Sequence, residues 1–129
     1  LYATSLVHAG GAEALLAAPE LEGVRFADMP WLLQPDHPAV MVYARPTQPW
    51  NAELQRLYAL GIDAFRLALL WMNGPSTFEL DGVTGTLRVD RTQPARVQRV
   101  PMLGIYRGGK VLRDGRVPTP ATAPSPTTP

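Results

Sequence analysis

A chain of 129 residues, 46% of them hydrophobic and 18% charged, can bury one ordinary core. Twelve basic against eleven acidic residues leave a formal charge of +1, which excludes the clustered positive footprint of a nucleic-acid binder. With no Cys, disulfides, thiolate catalysis and Cys-ligated metals are excluded together, and no apolar run approaches the roughly 20 residues that a membrane helix needs.

Tyr2 to Val7 is predicted to be a short strand, broken at Gly10-Gly11. Ala12 to Ala18 is predicted to be a short helix stopped by Pro19. No initiator Met and no leader opens the chain, so a piece of a longer protein is expected, with any targeting signal upstream. Val24-Arg25-Phe26 predicts a strand with Val24 and Phe26 on one face. Asp28 to Pro38 carries three prolines and is expected to be a loop or crossing segment. Its apolar run Met29-Pro30-Trp31-Leu32-Leu33 has two readings. Trp is favoured at binding hot spots, but large apolar side chains are usually buried, which favours a crossover tucked against the core. His37 to Trp50 is the least readable stretch, and Val40 to Tyr43 has strand propensity between prolines.

Asn51 to Asn73 is the strongest periodic element. Leu54, Leu57, Tyr58, Gly61, Phe65, Leu69 and Met72 recur at helical spacing, with Arg56, Asp63 and Arg66 on the opposite arc. Leu60, Leu67 and Trp71 widen the apolar arc, so the helix is expected to be covered on more than one side. Gly61 implies either a close backbone contact or a break into two helices with Asp63 as the second N-cap. Asn73-Gly74-Pro75 is a stop. Beyond it, Asp81-Gly82 reads as a turn and Gly85 to Val89 as a strand. A second strand region, Arg96 to Tyr106, is interrupted at Pro101, and Gly108-Gly109 turns the chain into Lys110-Val111-Leu112. Val117 to Pro129 holds only Val, Pro, Thr, Ala and Ser and is expected to be a flexible tail.

Catalytic constellations are weak. Ser5, His8 and a later Asp hold the residue types of a hydrolytic triad, but Ser5 lacks the Gly-x-Ser-x-Gly elbow. His8, His37 and the scattered Asp residues match no metal-ligand spacing. The glycines form neither a dinucleotide fingerprint nor a phosphate loop. Asp63 reads either as a cleft carboxylate or as the partner of Arg66 three residues on, and the ion pair is the commoner case. No catalytic residue, metal or cofactor is assigned.

Four segments carry a family resemblance: Tyr2-Ala3-Thr4-Ser5; Gly23 to Trp31; Arg56 to Leu67; and Phe78-Glu79-Leu80-Asp81-Gly82-Val83-Thr84-Gly85-Thr86-Leu87. In order and spacing they resemble the C-terminal part of LppC-type lipoproteins, from Tyr2 to about Leu112. The Gly-Val-Thr-Gly turn and the helix before it are also similar to the type 1 periplasmic-binding-protein class. His37 to Trp50 and the Pro-Thr tail depart from that pattern.

The resemblance implies an α/β fold: the C-terminal portion of a two-lobed periplasmic-binding-protein-like domain over 1–116, with a short antiparallel β region near its end and a tail over 117–129. It implies a non-catalytic lipoprotein on the periplasmic face of the outer membrane, its lipid anchor outside this chain. The implied partner is a class A penicillin-binding protein, a peptidoglycan synthase. In the wider fold class a small, amino-acid-like ligand sits between the lobes. On that alternative the cleft candidates are Thr4, Ser5, Asp28 and Trp31. A half-domain would also expose the apolar face that the rest of such a domain covers, and so is expected to self-associate.

Overall fold

The computed structural model describes residues 1–8, 19–92 and 94–116. The helix expected at Ala12 to Ala18 and the tail expected from Val117 lie outside these residues. The chain builds two sheets joined by a long helix and two crossings. Strands β1 (Tyr2–Ala3), β2 (Arg25–Asp28), β6 (Met102–Arg107) and β7 (Lys110–Asp114) form one sheet in the order β1-β2-β6-β7. Strand β1 runs parallel to β2, and the other pairs are antiparallel. Strands β3 (Thr77–Asp81), β4 (Thr86–Asp90) and β5 (Arg96–Val100) form a separate antiparallel sheet.

The first strand is shorter than expected, because after Ala3 the chain tightens into a 3-10 turn at Ser5–His8. Val24 and Phe26 are both buried, as their shared face requires. They pack with Tyr106 in a small core under the four-stranded sheet. The crossing segment holds two short helices, α1 (Pro30–Leu33) and α2 (Pro38–Met41), each opened by a proline. A proline there has no N–H to leave unpaired and its φ already suits a helix. In α2 the His37 ring also accepts the Ala39 N–H at 3.2 Å. These two effects override the strand propensity of Val40 and its neighbours.

Helix α3 (Ala52–Asn73) matches its predicted span. The Asn51 side chain caps it by accepting the Leu54 N–H at 2.8 Å, and the Gly74 N–H closes the far end on the Leu70 carbonyl. The helix is unbroken through Gly61, and a Cβ placed there would meet nothing within 4 Å. Neither expectation for Gly61 holds, and Asp63 lies inside the helix rather than at a cap.

Among the described residues α3 is covered on one side, not on several, and that side is not its apolar arc. Leu57, Phe65 and Met72 are 63%, 66% and 70% exposed, while Ala59 and Asp63 are buried. The apolar arc faces solvent, and the arc carrying Arg56, Asp63 and Arg66 faces the sheets. Tyr58, at the margin, packs edge-on against Trp31. Around Trp31 a second core gathers Met29, Val40, Ala59 and Val83, so it joins α1, α2, α3 and the β3–β4 turn.

The turns behave as their residues dictate. Gly108 and Gly109 both take positive φ in the two-residue hairpin between β6 and β7. Gly82 has no room for a side chain, since a Cβ would collide with the Asp63 carboxylate and the Gly85 carbonyl. At Pro101 the chain leaves the three-stranded sheet as β5 and enters the other as β6.

Candidate functional site

The two crossings lie side by side, for Asp28 at the end of β2 pairs in register with Met102 just past Pro101. Beside them opens a cavity of about 390 Å³ whose wall includes Ser5, Asp28, Arg56, Thr84 and Arg99. It is bounded by both sheets and by the N-terminal half of α3.

Asp28 is the hub of this region. Its side chain is 1% exposed and accepts four hydrogen bonds. One oxygen takes Arg56 Nη2 at 2.7 Å and His8 Nδ1 at 3.1 Å, and the other takes Arg56 Nε at 3.2 Å and the Met29 N–H at 2.9 Å. Burial opposes ionisation of this carboxyl. The hydrogen bonds from His8 and Arg56, the charge of Arg56 and the Met29 N–H outweigh it and hold the group below its ordinary value. Arg56 also donates to the carbonyls of Ser5 and His8, at 2.9 and 3.2 Å. The Tyr106 hydroxyl donates to the Val7 carbonyl at 2.6 Å. Burial and then the Asp28 charge raise the Tyr106 pKa, with Arg56 acting against them. The N-terminal turn is thus pinned from beneath by three side chains.

Seven residues along α3, Asp63 forms a second tie. Its carboxylate accepts the Val83 and Thr84 N–H groups at 3.0 and 2.8 Å and the Thr84 hydroxyl at 2.7 Å. The Arg66 contact is longer, at 3.5 Å. The i+3 pair exists, but the main task of Asp63 is to hold the turn between β3 and β4, a partner 20 residues away. Local spacing gave no signal for it. Helix α3 therefore grips the four-stranded sheet through Arg56 and the three-stranded sheet through Asp63.

The sequence candidates separate. Ser5 and Asp28 line the one cavity. Thr4 is exposed and does not line the cavity, and its carbonyl accepts the Val7 N–H. Trp31 is fully buried outside the cavity, under the Arg45 guanidinium 4.0 Å from its ring centroid. Its indole N–H has no hydrogen-bond partner among the described residues. Arg56, which ties the region together, was not among the candidates. A half-buried arginine on a helix facing a strand-end aspartate is a long-range pairing that periodicity does not report.

Chemically the cluster is self-satisfied. Asp28 has no free lone-pair direction left for a general base, and Ser5 engages Arg56 through its carbonyl. Among the described residues no hydrogen bond joins the Ser5 hydroxyl to His8, and no group of three His, Asp or Glu is placed to hold a metal ion. A larger open depression of about 820 Å³ lies on the three-stranded sheet, where Glu79 is already paired to Arg88 at 2.8 Å.

The model of the family described as LppC putative lipoprotein matches residues 1–102. The chain belongs to the LppC family. Among curated relatives, the penicillin-binding protein activator LpoA of Pantoea ananatis is 37% identical over 95 residues, covering 72% of this chain and 14% of that protein. The protein of the same name from Edwardsiella piscicida is 38% identical over 113 residues, covering 86% and 16%. This LppC chain thus spans less than a fifth of the length of these relatives.

Two solved structures share its fold. The C-domain of Haemophilus influenzae LpoA, described as a regulator of PBP1A, superposes with a TM-score of 0.62 at 27% identity, over 88% of this chain and 36% of that one. A Chromobacterium violaceum protein described as a putative branched-chain amino acid ABC transporter superposes with a TM-score of 0.63 at 45% identity, over 81% and 33%. The LppC chain therefore has the periplasmic-binding-protein-like α/β fold, and covers about a third of such a domain.

Proposed function

We propose that the chain is the C-terminal part of a lipoprotein that binds and activates a class A penicillin-binding protein, and that it performs no chemistry itself. The observation that carries this reading is the LppC match over residues 1–102, joined to relatives named as activators of a penicillin-binding protein. The site geometry supports it. The buried charges near the crossings are spent on holding two sheets to one helix, as a docking scaffold requires, rather than kept open for a substrate. The protein would sit on the periplasmic face of the outer membrane, held by a lipid anchor outside this chain. It can raise the synthase's activity only to the extent that it binds the active conformation more tightly than the inactive one.

A second reading is a periplasmic domain that binds a small, amino-acid-like ligand in the cavity at the crossings, with Ser5 and Asp28 in its wall. It is favoured by the 45% identity to a protein described as a putative branched-chain amino acid ABC transporter. Against it, Asp28 is saturated by Arg56, His8 and Met29. Calorimetric titration of the full-length protein with branched-chain and other amino acids separates the two. Saturable heat that is lost on enlarging Ser5 to Trp supports the ligand reading. Binding to a purified class A synthase with no response to amino acids supports the activator.

A further inference from the structure

The described residues form two bodies, each with its own core. The four-stranded sheet packs around Val24, Phe26 and Tyr106, while α2, α3 and the β3–β4 turn share the core around Trp31. No strand of one sheet pairs with a strand of the other among the described residues. The chain passes from body to body after Asp28 and again at Pro101. Helix α1 lies across the junction, with Trp31 in one core and Leu33 against the other. Two bodies joined by short adjacent passages make a hinge, in which a few residues at element ends absorb the rotation.

Arg56 spans this hinge. It belongs to α3, which is fixed to the three-stranded body through Asp63 and the turn that Asp63 holds. Yet every hydrogen bond that Arg56 donates among the described residues lands on the other body: on both oxygens of Asp28 and on the carbonyls of Ser5 and His8. Its side chain is 15% exposed and that of Asp28 1%. We propose that Arg56 is a latch that holds the hinge at one opening, so that the two bodies move together as a rigid platform. Swinging them apart would part a buried carboxylate from its guanidinium, a penalty that an exposed pair would not impose. The cavity of about 390 Å³ lies at the same junction, with Asp28 and Arg56 in its wall, so the latch also fixes its width. The inference does not depend on which partner the protein binds.

The test is pulsed dipolar spectroscopy of the full-length protein without its lipid, spin-labelled at Ala95→Cys beside β5 and Lys110→Cys in the β6–β7 hairpin, both exposed positions. This chain contributes no Cys of its own, and any elsewhere in the protein is replaced by Ser. The wild type should give one narrow distance distribution. Arg56→Lys keeps the charge but cannot reach both Asp28 oxygens and the Ser5 and His8 carbonyls at once. Arg56→Met combined with Asp28→Asn removes both charges together, which spares the fold an uncompensated buried ion. Each should at least about double the width of the distribution or move its mean by more than about 2 Å. Arg25→Met, which breaks the ion pair with Asp114 inside the four-stranded body, should leave the distribution as in the wild type. Circular dichroism establishes that each variant is folded, and should one latch variant fail to fold, the other decides. Folded latch variants that keep the wild-type distribution would overturn the proposal and assign the hold to the rest of the longer chain. A wild-type distribution already as broad as theirs would overturn it too.

Discussion

Asp28 and Asp63 illustrate how buried carboxylates organise this chain. Each is almost wholly removed from solvent, and each takes most of its hydrogen bonds from elements distant in sequence. For Asp28 the linkage has a definite sign. Its folded-state pKa lies below the ordinary 3.8, so the unfolded chain takes up the proton first. The stability it contributes is present above that value and is lost as pH falls through the lower folded pKa. Denaturant unfolding followed from about pH 6 to pH 2 should therefore show a falling acid limb. Asp28→Asn should flatten that limb and cost about 3 kcal/mol at neutral pH, because Arg56, largely removed from solvent, is left without its counter-charge. An unchanged limb would show that the clasp carries no linkage. Asp63→Ala should cost a similar ~3 kcal/mol, since the Val83 and Thr84 N–H groups lose their acceptor in a buried turn. Thr84→Val, which removes only the hydroxyl donor, should cost about 1 kcal/mol in the same unfolding experiment.

At the scale of elements, what could be read locally was read well. The length of α3 and its stop at Gly74-Pro75 rest on contacts within a few residues, as does the Gly108-Gly109 hairpin. What depends on distant partners was not legible. The periodicity of α3 was visible, but not which arc meets the sheets, because Arg56 and Asp63 find partners 28 and 20 residues away. A polar arc that completes buried hydrogen bonds can face inward while an apolar arc faces out. Val40 to Tyr43 failed for a related reason: a proline at the first helical position and the His37 cap outweigh β-branched propensity over so few residues. The same logic sets the effect of changing Gly61. With open space and an unbroken helix around it, Gly61→Ala should raise the stability of the isolated fold by about 0.5–1 kcal/mol, read as a shift in denaturation midpoint. A loss would mean that the position is crowded in solution.

For the whole molecule, two sheets hang on one helix and two adjacent crossings, and Arg56 and Asp63 are the polar fastenings. That frame agrees with the LppC match and with the periplasmic-binding-protein-like neighbours, of which it covers about a third. Ser5 at a strand end and Asp28 at a crossing line one cavity, whereas Trp31 in the same segment as Asp28 turns into the core. Strand-end and crossing positions can be placed from sequence, but the direction of a side chain at a crossing depends on what packs over it. Here Arg45 and Tyr58 cover the indole.

The central claim is non-catalytic activation of a peptidoglycan synthase. Its most direct test is to titrate the full-length lipoprotein, without its lipid, into a purified class A penicillin-binding protein while following the cross-linking rate. Saturable binding with a rate that rises in step with occupancy is the predicted result. Absence of binding, or binding that leaves the rate unchanged at saturation, would contradict it.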